Sequence, residues 1–100
     1  MENVEKYKRL IKFAIRSPVK KRLDLLKKFN SEIIKTVCEI FLNTISGTIP
    51  AVPPRVLRAL NKHKRLVYKL VDPKVSIENK KEELIRNKGV VLLPIVNIIP

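Results

Sequence analysis

No tryptophan occurs in the 100 residues, and cysteine and histidine occur once each, as Cys38 and His63. A single cysteine cannot form an internal disulfide, so nothing in the chain marks an oxidising compartment. One thiol and one imidazole far apart in sequence supply no metal-ligand spacing. Glycine is nearly as scarce: Gly47 and Gly89 are isolated, which excludes a glycine-rich phosphate loop. Long hydrophobic runs are missing as well. The run from Val90 to Pro100 is well short of the roughly 20 residues a membrane-spanning helix requires, and Pro94 and Pro100 interrupt it. The start of the chain, Met1-Glu2-Asn3-Val4-Glu5-Lys6, lacks the apolar stretch of a signal peptide, so secretion by that route is not expected.

Acidic side chains are the last scarcity. There are 9 Asp and Glu against 22 Lys and Arg, a net charge of 22 − 9 = +13. Residues 1–46 carry 11 − 5 = +6 and residues 47–100 carry 11 − 4 = +7, so the excess runs along the whole chain. Hydrophobic residues still make up 45%. That is too many for a disordered polybasic arm. An 11.6 kDa chain can close one small core and leaves no room for a deep substrate cleft.

The apolar residues recur at helical spacing and no stretch alternates like a strand, so the fold class is all-α, a small bundle of four to five helices. Val4, Tyr7, Ile11 and Ala14/Ile15 mark a helix over 3–16. Ser17-Pro18 reads as a cap followed by a proline in the first turn of a second helix, 18–29, with Val19, Leu23, Leu26 and Phe29 as its apolar stripe. Asn30-Ser31-Glu32 restarts a third, 31–46, apolar around most of its circumference and therefore central. Gly47 stops it, and the prolines of the connector 47–54 keep it stopped. A fourth helix, 54–71, carries Val56, Leu57, Leu60, Val67, Leu70 and Val71, and ends at Asp72-Pro73. Ser76 caps a fifth, 76–88. The domain is thus residues 1–89, followed by an apolar tail, 90–100.

A strong cation excess on a small body costs stability through self-repulsion unless an anionic partner relieves it, which favours nucleic acid or another polyanion. The densest patch is Lys62-His63-Lys64-Arg65, with Arg55, Arg58 and Lys69 on the same helix. Lys20, Lys21, Arg22, Lys27 and Lys28 form a second patch that also matches the pattern of a nuclear import signal. Lys80 and Lys81 complete the candidate nucleic-acid contacts. Tyr7, Phe13, Phe29, Phe41 and Tyr68 fall on or near apolar stripes and are read as core rather than base-stacking residues. Non-specific, salt-sensitive DNA binding is therefore expected over base readout. Cys38 reads as a small buried hydrophobe. Glu78, Glu82 and Glu83 are spaced to pair with Lys80, Lys81 and Arg86 rather than to do acid–base chemistry. No catalytic residue, metal or cofactor is expected, and the chain reads as a non-enzyme.

The stretch Cys38-Glu39-Ile40-Phe41-Leu42-Asn43-Thr44-Ile45-Ser46-Gly47-Thr48-Ile49-Pro50 precedes the basic helix Val56 to Leu70. Lys74-Val75-Ser76, Lys80-Lys81, Leu84-Ile85, Lys88-Gly89 and Leu93-Pro94 then follow. This order resembles a family of short basic open reading frames of Polinton/Maverick elements and related animal DNA viruses. In those, a CE-x-x-LN-x-x-x-G-x-(I/V)-P box precedes a lysine-rich helix and a GG-x-L-P apolar tail, the tail being similar to the hydrophobic end of the adenoviral core protein X, the precursor of mu. The resemblance covers roughly residues 33–95. It departs at Gly89-Val90, where the family has a double glycine, and a long Ala/Gly-rich tail is not present before Pro100. The resemblance implies a helical DNA-condensing virion core or packaging accessory without cofactor, located in a virion or host nucleus.

Two other function classes fit the same residues. In one, the basic helices meet anionic lipid while the tail inserts shallowly. In the other, a small helical adaptor docks its tail on a capsid or other protein. In both, Leu92, Leu93, Ile95 and Val96 are the candidate membrane or partner contacts.

Overall fold

Local chemistry places most of the helix ends. In the computed structural model, which describes residues 2–47 and 52–99, the helices are α1 (Glu2–Arg16), α2 (Val19–Lys28), α3 (Ser31–Ile45), α4 (Pro54–Asn61), α5 (Lys64–Val71) and α6 (Ile77–Arg86), followed by a 3-10 helix (Val90–Ile95). No strand occurs among the described residues, and the fold is all-α. Residues 48–51 of the proline-rich connector lie outside the described residues.

The Asn30 side chain accepts from the Ile33 amide at 3.0 Å, and the Ser76 hydroxyl accepts from the Asn79 amide at 3.1 Å. Each satisfies a donor that a helix start leaves without an intrahelical partner. Ser17 departs from the expected cap: its hydroxyl donates back to the Phe13 carbonyl at 2.6 Å, and Pro18 itself occupies the cap position of α2. At the C-terminal side, Gly47 follows α3 with φ +77°, and α6 ends in two consecutive left-handed residues, Lys88 (φ 59°) and Gly89 (φ 71°). The Gly89 amide reaches back to the Leu84 carbonyl at 3.0 Å, closing the end of α6.

The central helix is α3, packed against α1, α5 and α6 at once. Ile33, Ile34, Val37, Cys38, Ile40 and Phe41 are buried, as expected, while Leu42 and Ile45 face outward. Thr36 and Thr44 are also buried, each returning its hydroxyl to the carbonyl four residues earlier (2.9 and 2.7 Å), which removes the cost of an unpaired polar group. From α1 come Val4, Ile11, Ala14 and Ile15, and from α2 Leu26 and Phe29. Each of these side chains except the smaller Ala14 contributes about 1.5–3 kcal/mol of burial free energy.

Two expectations need correction. Residues 54–71 do not form one helix: Lys62-His63 is a turn, and α4 and α5 are separate. No proline or glycine marks the break. Its reason is tertiary, since α4 packs against the 3-10 helix while α5 packs against α3 and α6, and a straight rod cannot face both. The stretch expected as an apolar tail is packed into the core instead. Val91, Leu92, Ile95 and Ile99 are buried, with the 3-10 helix resting on α4 and α1. No helix among the described residues is long and apolar enough to cross a membrane.

Candidate nucleic-acid interface

The fold divides the candidate cations into exposed groups and a few drawn into the structure. The larger exposed set sits on α4 and α5. Arg55, Arg58, Lys62, Lys64, Arg65 and Lys69 are all exposed, and no Asp or Glu occurs anywhere from residue 40 to residue 71. The nearest acid in space is Glu83 of α6, 3.8 Å from the Lys69 ammonium, a partly exposed pair of small energetic weight. The turn at Lys62-His63 brings Lys62, Lys64 and Arg65 to the start of α5, whose first turn has neither an acidic residue nor a side-chain cap. The partial positive charge of that helix end therefore adds to the three cations instead of being neutralised.

The second set lies on α2 and α6. Arg22 is buried in line with Leu26 and Phe29, not exposed among the lysines, while Val19, expected on the apolar stripe, faces outward. The Arg22 Nε donates to the Lys88 carbonyl at 2.8 Å and its Nη1 to the Ser17 carbonyl at 3.2 Å. This guanidinium crosses so close to Gly89 that a Cβ there would stand 2.9 Å from Arg22 Cδ and Nε. Lys81 donates to the carbonyls of Lys27 (2.7 Å) and Phe29 (2.8 Å), satisfying acceptors that the end of α2 leaves open. Lys80 is buried beside Cys38. Arg22, Lys80 and Lys81 are thus structural groups in this fold. Lys20, Lys21, Lys27 and Lys28 remain exposed, with the Lys21 ammonium 4.8 Å from the centre of the Phe13 ring.

Along α1 the cations are partly countered. Lys8 pairs with Glu5 at 2.9 Å, holding that carboxyl below its usual range, and Lys6 lies 3.9 Å from Glu32. The Tyr7 hydroxyl donates to the same Glu32 carboxylate at 2.7 Å, which raises the phenol's pKa. On α6, Glu83 pairs with Arg86 at 2.9 Å, so of the expected acid–base pairs this one forms, whereas Lys81 turns to backbone.

Of the proposed membrane or partner contacts, Leu92 and Ile95 are inside the core, Val96 is half-buried, and Leu93 alone is exposed. Tyr68 and Phe13 move the other way. Both were expected in the core, and both face solvent, Tyr68 at 56% and Phe13 at 50% exposure. The signal for Tyr68 was available in its neighbours: Lys64, Arg65 and Lys69 lie at i−4, i−3 and i+1, a polar face rather than a core face.

Burial pushes the Cys38 thiol up to about 11, against a smaller opposing effect of Lys80, so it is protonated and a poor nucleophile at neutral pH. Among the described residues no group of three His, Cys, Asp or Glu is placed to hold a metal ion. Comparison with protein-family models, curated proteins and solved structures finds no match.

Proposed function

We propose that the chain is a non-catalytic, sequence-independent nucleic-acid-binding protein whose principal contact surface is the α4–α5 face. The observation that carries this reading is the coincidence of six exposed cations with a 32-residue interval, 40 to 71, free of any carboxylate. Six such side chains approach the roughly 6–10 phosphate contacts that make duplex binding tight at low salt. Joined to the resemblance to the short basic frames of Polinton/Maverick elements, the reading narrows to a DNA-condensing virion core or packaging accessory.

The test is a salt titration. Affinity for duplex DNA is expected to fall roughly 10³–10⁵-fold between about 50 and 200 mM salt, with little dependence on sequence. Reversing Lys62, Lys64, Arg65 and Lys69 to Glu is expected to flatten that slope more than the same change at Lys6, Lys8, Arg9 and Lys12, where Glu5 and Glu32 already stand close. Affinity that ignores salt, or none at low salt, overturns the reading.

A second reading, binding at an anionic membrane surface, shifts to different residues from those first expected. Leu10 and Phe13 lie on the outward face of α1 between Arg9 and Arg16, and Val19 is exposed at the start of α2. If the protein binds anionic vesicles, Phe13→Ser is expected to release it and Leu93→Ser is not. The opposite result returns the contact to the C-terminal segment.

A further inference from the structure

We infer that the apolar depression between α3, α4 and α5 seats one unpaired base of a single-stranded nucleic acid against Tyr68. The inference rests on the nucleic-acid reading above and names the strand form that the surface is built to hold. The depression has a volume of about 130 Å³, with the buried Leu60 and Val67 among its lining residues. Pockets for drug-sized ligands run to about 300–1,000 Å³, so this one has room for a single ring system. Ile45, Leu57 and Tyr68 line the same depression at 39%, 44% and 56% exposure, an apolar patch left open to water. The polar groups lining it are Asn61 and Lys64, a carboxamide able to donate and accept and a cation.

Charge selects the occupant. A second copy of a chain with net charge +13 is repelled, and no carboxylate of residues 40–71 competes for the cations. The Lys64 ammonium is 5.7 Å from the centre of the Tyr68 ring, and Arg65 and Lys69 flank it along α5. An aromatic face bordered by cations meets both parts of a nucleotide, the base by stacking and the phosphate by Coulomb attraction. In a duplex the base faces are already stacked on one another and unavailable. In a single strand they are free. Sequence selectivity is not implied, because every base offers a π face.

The experiment compares mixed-sequence single-stranded and duplex oligonucleotides of equal length at fixed low salt, using fluorescence anisotropy of an end label. Tyr68→Leu is expected to weaken single-strand binding roughly 5- to 150-fold while leaving duplex affinity within about two-fold. Tyr68→Phe keeps the ring and is expected to behave like the natural protein. In a Tyr7→Phe background Tyr68 is the remaining tyrosine, and its emission is expected to be quenched by the single strand and not by the duplex. Equal losses on both polymers with Tyr68→Leu, or no loss on either, overturn the base seat while leaving the electrostatic reading standing. Loss of binding to anionic vesicles with no loss on oligonucleotide reassigns the depression to lipid. Failure of the natural protein to bind either polymer overturns the parent reading itself.

Discussion

The α4–α5 face and the α2–α6 face carry the same kinds of side chain in opposite employment. On α4 and α5 the guanidinium and ammonium groups point into solvent with carboxylates almost absent around them. On α2 and α6, Arg22 and Lys81 are bonded to backbone carbonyls and Lys80 is buried. A net charge counts both groups alike, whereas only the exposed ones, which on α2 still include Lys20, Lys21, Lys27 and Lys28, are open to an external partner. A cation that has already exchanged its water for carbonyl oxygens acts as a cross-link between chain segments, here Ser17, Arg22 and Lys88.

Breaking that cross-link is expected to give the largest effect. Arg22→Leu leaves the Ser17 and Lys88 carbonyls without their donors and should cost about 3 kcal/mol in urea melts, with duplex affinity little changed. A loss of affinity without a loss of stability would erase the distinction between the two faces. Next in size is a pH effect inside the core. The Cys38 thiol is half ionised at pH 9.0 in the unfolded chain but only at about pH 11 when folded. The unfolded state therefore binds fewer protons in this window, and stability falls as pH rises. The loss is about 1 kcal/mol between pH 9 and about pH 10, and it should vanish in Cys38→Ala. Lys81→Met, which keeps the stem and removes the bonds to Lys27 and Phe29, should cost about 1 kcal/mol. The smallest effect runs in the other direction: Lys88→Gly relieves a left-handed residue with a side chain and should raise stability by about 0.5–1 kcal/mol. If it also leaves DNA binding unchanged, the Lys88 side chain is no part of the contact surface, and only its carbonyl, the acceptor for Arg22, has a role.

How far these roles could be read from residue order depended on range. Asn30, Ser76, Gly47 and Gly89 act within a few positions of themselves, and the structure uses them as their chemistry suggests. The apolar stripes of α1 and α3 were legible because many residues agree on one face. Arg22 was misplaced because a lysine-rich run disguised its spacing: positions 22, 26 and 29 form a helical line, with a guanidinium where an aliphatic group is the usual choice. The Lys62-His63 turn could not be anticipated at all. It answers to two docking surfaces, the 3-10 helix and α3, that lie far away along the chain. The candidate interface was found by its charge density. Which of its members were already committed to carbonyls was invisible without the fold.

The 3-10 helix has a consequence for the order in which the molecule is made. Val91, Leu92, Ile95 and Ile99 fill the core against α1 and α4, so a nascent chain that has exposed everything up to residue 89 still has those faces unsealed. Closure waits for synthesis to pass residue 99, and a force-sensing arrest sequence placed behind the chain should register no folding pull before then.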